Sequence, residues 1–343
     1  MRHKRLGFFT RVLDDVPPAA RYRLALEQIA FAERMGLHAA WVAQHHFDGA
    51  EGGLPAPLVF LAQAAARTSA IRLGTGIITL PLENPVRVAE DTAVLDLMCG
   101  GRLDVGVGTG GTPSSYPAFG LDNARRAAIY DGALATLRAA WRGAALGGSP
   151  NRLYPPAPHL DGRVWQATFS VEGGRRAGRA GDGLLLSKTQ PRSADAPDAT
   201  LSDLQHPIID AYLAALPQGV PPRILGSRGI TTMDSAADAR RHAQAGLDRH
   251  LRRLRAVGRP TPEGTLDEVM AQLDVYCGTP EQVIALLRQD TVLARVTDIS
   301  MQVHPVDPPH ELILRAIELF ATVVAPALGW CAQAAPPARR TGT

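Results

Sequence analysis

Short apolar strings alternate along this chain with stretches whose apolar positions recur every three or four residues, the rhythm of repeated strand and helix units. LGFFT (residues 6–10) is followed by a helical run in which Ala25, Ile29, Ala32 and Gly36 share one face. HAAWVAQHHF (38–47) reads as a second strand and leads into the loop DGAEGGLPAP. IRLGTGIITL (71–80) is apolar almost throughout, as a strand buried on both faces should be. Asn84 then stands as an N-cap with Pro85 as the first helical residue. Val86, Ala89, Ala93 and Leu97 form the predicted inward stripe, and Gly100 stops the helix. LDVGVG (103–108) is the fourth strand; VWQATFS (164–170), GLLLS (183–187), RILGSRGITTM (223–233) and DISMQVH (298–304) supply four more.

Eight such units close a (β/α)8 TIM barrel, and 343 residues suit one barrel with insertions. The expected organisation is an α/β barrel over residues 1–331. An insertion rich in Pro, Ala and Asp follows the sixth strand, at about residues 189–222, and a disordered tail covers residues 332–343. The arginine-rich span 240–259 reads as a solvated helix, and Thr279, Pro280 and Gln282 read as a capping box before VIALLRQD.

Composition narrows the function. A formal net charge of +3 with scattered arginines does not suggest nucleic acid, and no apolar run reaches membrane-spanning length. The apolar stretch after the basic MRHKR is too short for a signal peptide's core, so a cytoplasmic protein is expected. Cys99, Cys277 and Cys331 are too dispersed for a disulfide framework or a cysteine zinc site.

In such a barrel the chemistry sits where the strands end. GRLDVGVGTGG (101–111) has the glycines of a dinucleotide loop, but no helix opens on them, so they read as rim glycines after the fourth strand. His45 and His46 end the second strand. Neighbours on a strand point to opposite faces, so the pair is not expected to share a metal ion, and no metal site is assigned. Glu90 and Asp91 lie at salt-bridge spacing from Arg87 and read as a paired helix surface. Ser170, Gly173 and Gly174, before a helix with arginines in its first turns, read either as an anion cradle of backbone N–H groups and a hydroxyl, or as a tight turn.

AQHHF, GTGIITLPLENPVRVAEDTAVLDLMCGGRLDVGVGTGG and FSVEGG, in this order on these strands, resemble the bacterial-luciferase-like family of flavin-dependent monooxygenases. The resemblance is strongest over residues 41–120, resumes at 164–187 and returns in YCGTPEQVIALL (276–287). It implies reduced FMN as cofactor, or in some branches F420. His45 falls at the catalytic histidine, Gly76 and Ile77 at a bulged or cis-peptide strand end beneath the flavin ring, and Ser170 with Gly173 at the phosphate turn. Gly108 and Thr109 lie at the rim near the flavin. Gln44 replaces the usual acidic residue before the histidines, Cys99 a frequent serine, and Thr109 an arginine that Arg125, Arg126 or Arg175 would have to replace. The implied activity is that of a two-component monooxygenase, which takes reduced FMN from a separate flavin reductase and uses O2 to oxygenate a small organic substrate. His45 would shuttle a proton, since an imidazole titrates near working pH. A homodimer is the family expectation. An F420-dependent hydride-transfer oxidoreductase and a non-catalytic flavin-binding protein are the alternatives.

Overall fold

The computed structural model describes residues 4–193 and 195–330; the expected tail and Cys331 lie outside them. Its strands are β1 (Arg5–Thr10), β2 (Ala39–Val42), β3 (Arg72–Thr75), β4 (Ile78–Thr79), β5 (Leu103–Gly108), β6 (Val164–Ala167), β7 (Gly183–Leu186), β8 (Ile224–Thr232), β9 (Val275–Gly278) and β10 (Asp298–Gln302). The helices are α1 (Pro18–Arg34), α2 (Pro57–Arg67), α3 (Pro85–Met98), α4 (Arg126–Trp141), α5 (Val171–Arg179), α6 (Leu201–Ala215), α7 (Ala236–Ala256), α8 (Leu266–Gln272), α9 (Pro280–Gln289) and α10 (His310–Leu319). All strand pairs are parallel, and β1, β2, β3, β5, β6, β7, β8 and β10 follow one another round a closed ring, with β10 pairing both β8 and β1. This is the (β/α)8 barrel that the alternation of elements predicts.

Several boundaries differ from expectation. The second strand stops at Val42, so His45 and His46 sit on the loop beyond it. The third apolar string is not continuous: it breaks at a cis peptide bond between Gly76 and Ile77 and resumes as β4, paired to β5. Leu97 is 63% exposed, and the buried face of α3 instead carries Val88, Ala89, Thr92, Ala93, Leu95 and Asp96. Thr92 is tolerated there because its hydroxyl donates to the Val88 carbonyl and accepts from Trp141 Nε1. The segment 189–222 contains α6, which packs on α5 so closely that a Cβ at Gly174 would lie 2.5 Å from the Ile208 carbonyl oxygen. A ninth strand, β9, pairs with the outer end of β8 and packs with α7 and α8 around Met233, Leu247 and Val306.

Within the segment that carries the resemblance, Asp96 on α3 and Arg102 just after it have structural roles. Asp96 accepts from the Leu103 N–H and from Arg163, and Arg102 donates to the Ile71 carbonyl, so both clamp the turn that launches β5. Arg87 pairs with Glu90 and Asp91 on the exposed face.

Most apolar burial lies between the strands and the helices. Inside the ring a separate plug forms from Trp41, Trp165, Leu185 and Leu225, with Phe9 and Ile77 against it. The two indoles meet edge to face at 5.5 Å. They fit because glycines stand opposite them: a Cβ at Gly74 would come within 2.3 Å of Trp41, and one at Gly183 within 2.2 Å of Trp165. Among the described residues no helix is long and apolar enough to cross a membrane.

Candidate active site

Above the indole plug, where the strands end, lies a cavity of 560 Å³, within the range of small-molecule sites. Ile77 joins the two, packing on the plug below and lining the cavity above. Gly76 lines the same wall, where a Cβ would collide with the Phe9 ring at 2.6 Å. Gln44 holds this strand break in place: its carbonyl oxygen accepts from the Thr79 N–H at 2.7 Å, and its amide donates to Glu83 and to the Pro55 carbonyl.

His45 and His46 both line the cavity, contrary to the expectation of opposite faces, because no ladder constrains the chain beyond Val42. His46 packs edge-on against Phe119. Arg11, just past β1, donates from Nη2 to His45 Nε2 at 2.9 Å. A guanidinium can only donate, so Nε2 accepts and the imidazole proton sits on Nδ1. That Nδ1 is buried without a partner and faces Gly52, where a Cβ would come within 2.2 Å of it. Burial, then the nearby charge of Arg11, holds the His45 pKa well below its ordinary value. The histidine expected to titrate near working pH is therefore neutral there.

Gly110, Gly111 and Thr112 line the cavity beyond β5; Gly108 and Thr109 lie just short of it, and the Thr109 carbonyl accepts from Tyr116. Gly106 and Gly108 of the stretch 101–111 thus serve close packing. A Cβ at Gly106 would sit 2.0 Å from the Thr75 carbonyl oxygen, and one at Gly108 would meet Ile77 at 3.1 Å. Ser170 is the N-cap of α5, accepting from the Gly173 N–H at 3.1 Å, while its neighbour Phe169 lines the cavity. Gly173 is required because a Cβ would lie 1.9 Å from Thr168 Oγ1, whereas Gly174 faces α6 rather than the site. Gln190 closes this side, donating to the Phe169 carbonyl while its own amide oxygen is buried and unpartnered.

The candidates to replace the absent arginine do not reach the cavity. Arg175 pairs with Glu172 and Arg126 with Asn123, and neither they nor Arg125 line it. The cations that do are Arg11, Lys188, Arg192, Arg253 and Arg259. Arg253 corrects the picture of a solvated helix: it turns inward from α7 to Asp48 at 2.8 Å and Glu51 at 3.1 Å. Glu51 also accepts from Thr112, so the loops after β2 and β5 are fastened to α7. Among the described residues no group of three His, Cys, Asp or Glu side chains could hold a metal ion. A wider cleft of 1510 Å³, between α8, β9 and α9, shares Arg192, Leu273 and Asp274 with this cavity.

These residues fit a flavin. A cleft floored by Gly76 and Ile77 suits a flat apolar ring, and the first turn of a nine-residue helix capped by Ser170 suits a phosphate.

Comparison with known proteins agrees. The chain is 41% identical over 99 residues to 4-hydroxyprotoasukamycin monooxygenase from Streptomyces nodosus, covering 29% of this chain and 26% of that one. It is 32% identical over 116 residues to the oxygenase component of the flavin-dependent trigonelline monooxygenase from Acinetobacter baylyi, covering 34% and 32%. The chain spans between about a quarter and about a half of the length of the curated relatives it matches. The crystal structure of monooxygenase RslO1 from Streptomyces bottropensis superposes with a TM-score of 0.75 at 26% identity, over 96% of this chain and 100% of that one. Residues 6–297 match the luciferase-like monooxygenase family, and the chain belongs to it.

Proposed function

We propose that this protein is the oxygenase component of a two-component monooxygenase that uses reduced FMN and O2 to oxygenate a small organic substrate. The observation that carries the reading is the cavity itself: a neutral histidine held by an arginine above an apolar strand break, beside a capped helix N-terminus. Gly76 and Ile77 would lie under the flavin ring; Ser170 and the first turn of α5 would hold its phosphate. When bound, reduced flavin supplies the two electrons with which one oxygen atom of O2 enters the substrate and the other leaves as water. Ile77, Leu82 and Phe169 give that space an apolar lining, which would favour exclusion of water from a seated ring. His45, oriented by Arg11 at Nε2, carries its single proton on Nδ1, the atom at which it would hand one over.

Anaerobic calorimetry with reduced FMN, reduced riboflavin and reduced F420 tests the reading. FMN is expected to bind best and riboflavin about tenfold or more weaker, because hydrogen bonds to a charged group contribute about 1.5–3 kcal/mol. Tighter binding of F420 would replace oxygenation by hydride transfer. Binding of flavin with no electron acceptor consumed would leave only a flavin-binding protein.

The reading carries two partners: a reductase that supplies reduced flavin in the cytoplasm, and a second copy of the chain. Exposed Val59 on α2 and Val94, Leu97 and Met98 on α3 support the dimer, since apolar groups gathered on neighbouring helices favour association. Sedimentation velocity should show a dimer that Leu97→Glu converts to monomer; an unchanged mass would place the contact elsewhere.

A further inference from the structure

The acidic groups lining the cavity are already engaged. Glu51 is paired with Arg253, and Asp274 with Arg192 at 2.8 Å. Three cations in the wall, Arg11, Lys188 and Arg259, make no ion pair with a carboxylate among the described residues. Arg259 stands exposed at the mouth. Arg11 gives one nitrogen to His45, and its Nε is buried with no partner.

Lys188, directly after β7, is the most telling. It is 2% exposed, and among the described residues Nζ donates only to backbone carbonyls, of His304 at 3.1 Å and of Leu273 at 3.4 Å. An ammonium has three donors and gains little from neutral acceptors when it is removed from water. Burial lowers its pKa to about 8, despite the pull of Asp274 and Asp307, so it is largely charged at neutral pH and costs the fold stability. A buried cation with no carboxylate at ion-pair distance among the described residues makes physical sense where the ligand brings the closer counter-charge.

Resting on the reading above, we infer that the substrate is an organic anion whose carboxylate or similar oxyanion docks between Lys188 and Arg11, with Arg259 drawing it in at the mouth. The flavin phosphate is a second possible source of negative charge. The helix N-terminus at Ser170, which is not among the residues that line the cavity with Lys188, would provide for it separately and leave the lysine for the substrate.

The test uses calorimetry on FMN-loaded enzyme with benzoate and phenyl phosphate as anionic probes and benzamide as the neutral control. Lys188→Met and Lys188→Gln are compared with the unaltered chain; glutamine retains a donor to the two carbonyls without the charge. At least one anion should bind tenfold or more tightly than benzamide, and both variants should reduce that advantage below about threefold. The Tm of the ligand-free methionine variant should rise. Equal binding of anions and benzamide by the unaltered chain overturns the inference, as does an anion preference that survives both substitutions. A loss of FMN affinity in the variants that riboflavin does not share would assign the lysine to the flavin phosphate instead. Failure of the unaltered chain to bind FMN at all would sink the flavin reading, an outcome distinct from these.

Discussion

Replacing His45 by alanine is expected to leave the barrel folded and flavin bound, and to lower turnover by about 10²–10⁴-fold, the usual contribution of a positioned acid or base. The side chain stands on a loop past the end of β2 and belongs to no apolar cluster, so its loss opens no core. Its removal also strands the Arg11 guanidinium, whose Nη2 has its hydrogen bond at His45 Nε2. The pH profile separates chemistry from packing. The imidazole is held neutral by burial and by Arg11, its pKa well below 6.5, so turnover limited by His45 should stay level as pH falls through 7 and 6. An acid limb centred near 6.5 that disappears in the alanine variant would show a freely titrating histidine and refute this geometry. Single-turnover oxidation at the unaltered rate in the variant would remove His45 from the reaction.

Asp290→Ala should destabilise the fold by about 3–5 kcal/mol, because it leaves the fully buried guanidinium of Arg228 without its counter-charge. Arg228 projects from β8 and donates from Nε to Asp290 at 2.5 Å, and from Nη2 to Gln205 on α6 at 3.0 Å. Asp290 also accepts from Tyr276 on β9 and from the Val292 N–H. One carboxylate thus joins β8, β9 and the turn that leads to β10. Urea denaturation measures the loss. The paired change Arg228→Met with Asp290→Leu should cost far less, since no unpaired charge is left inside. A single variant as stable as the parent would mean that water reaches the arginine.

The barrel was legible because its strands are apolar runs of the right length, and β1 and β5 fall within a residue of where the pattern places them. The second strand was overrun because no Gly or Pro follows Val42 until Gly49 and nothing local marks where pairing stops. The inward face of α3 was read correctly at Ala89 and Ala93 but not at Leu97, and Thr92 and Asp96 were missed because they are buried polar residues whose partners, Trp141, Leu103 and Arg163, arrive from distant sequence. Strand β9 escaped notice as four residues among helices.

The site was legible in part. Its histidine and its strand break were read from resemblance to a family, and the structure puts His45, Gly76 and Ile77 in one wall. Arg11 and Lys188 were overlooked, although each closely follows a barrel strand and the rim rule alone would have nominated both. Arg253 could not have been found that way, because the helix that carries it belongs to no predicted rim and its acidic partners lie two hundred residues earlier.

The indole plug gives the protein a built-in optical reporter. Of its four tryptophans, Trp41 and Trp165 stand at the base of the cavity, separated from its contents by little more than Ile77, while Trp141 is packed among the outer helices. A chromophore settling onto Ile77 would lie close enough to these rings to accept their excitation, so two of the protein's four indoles would report the state of the pocket. Occupancy can therefore be followed on the unmodified chain by light alone, and the same two rings would register any tilt of the floor as the cavity fills.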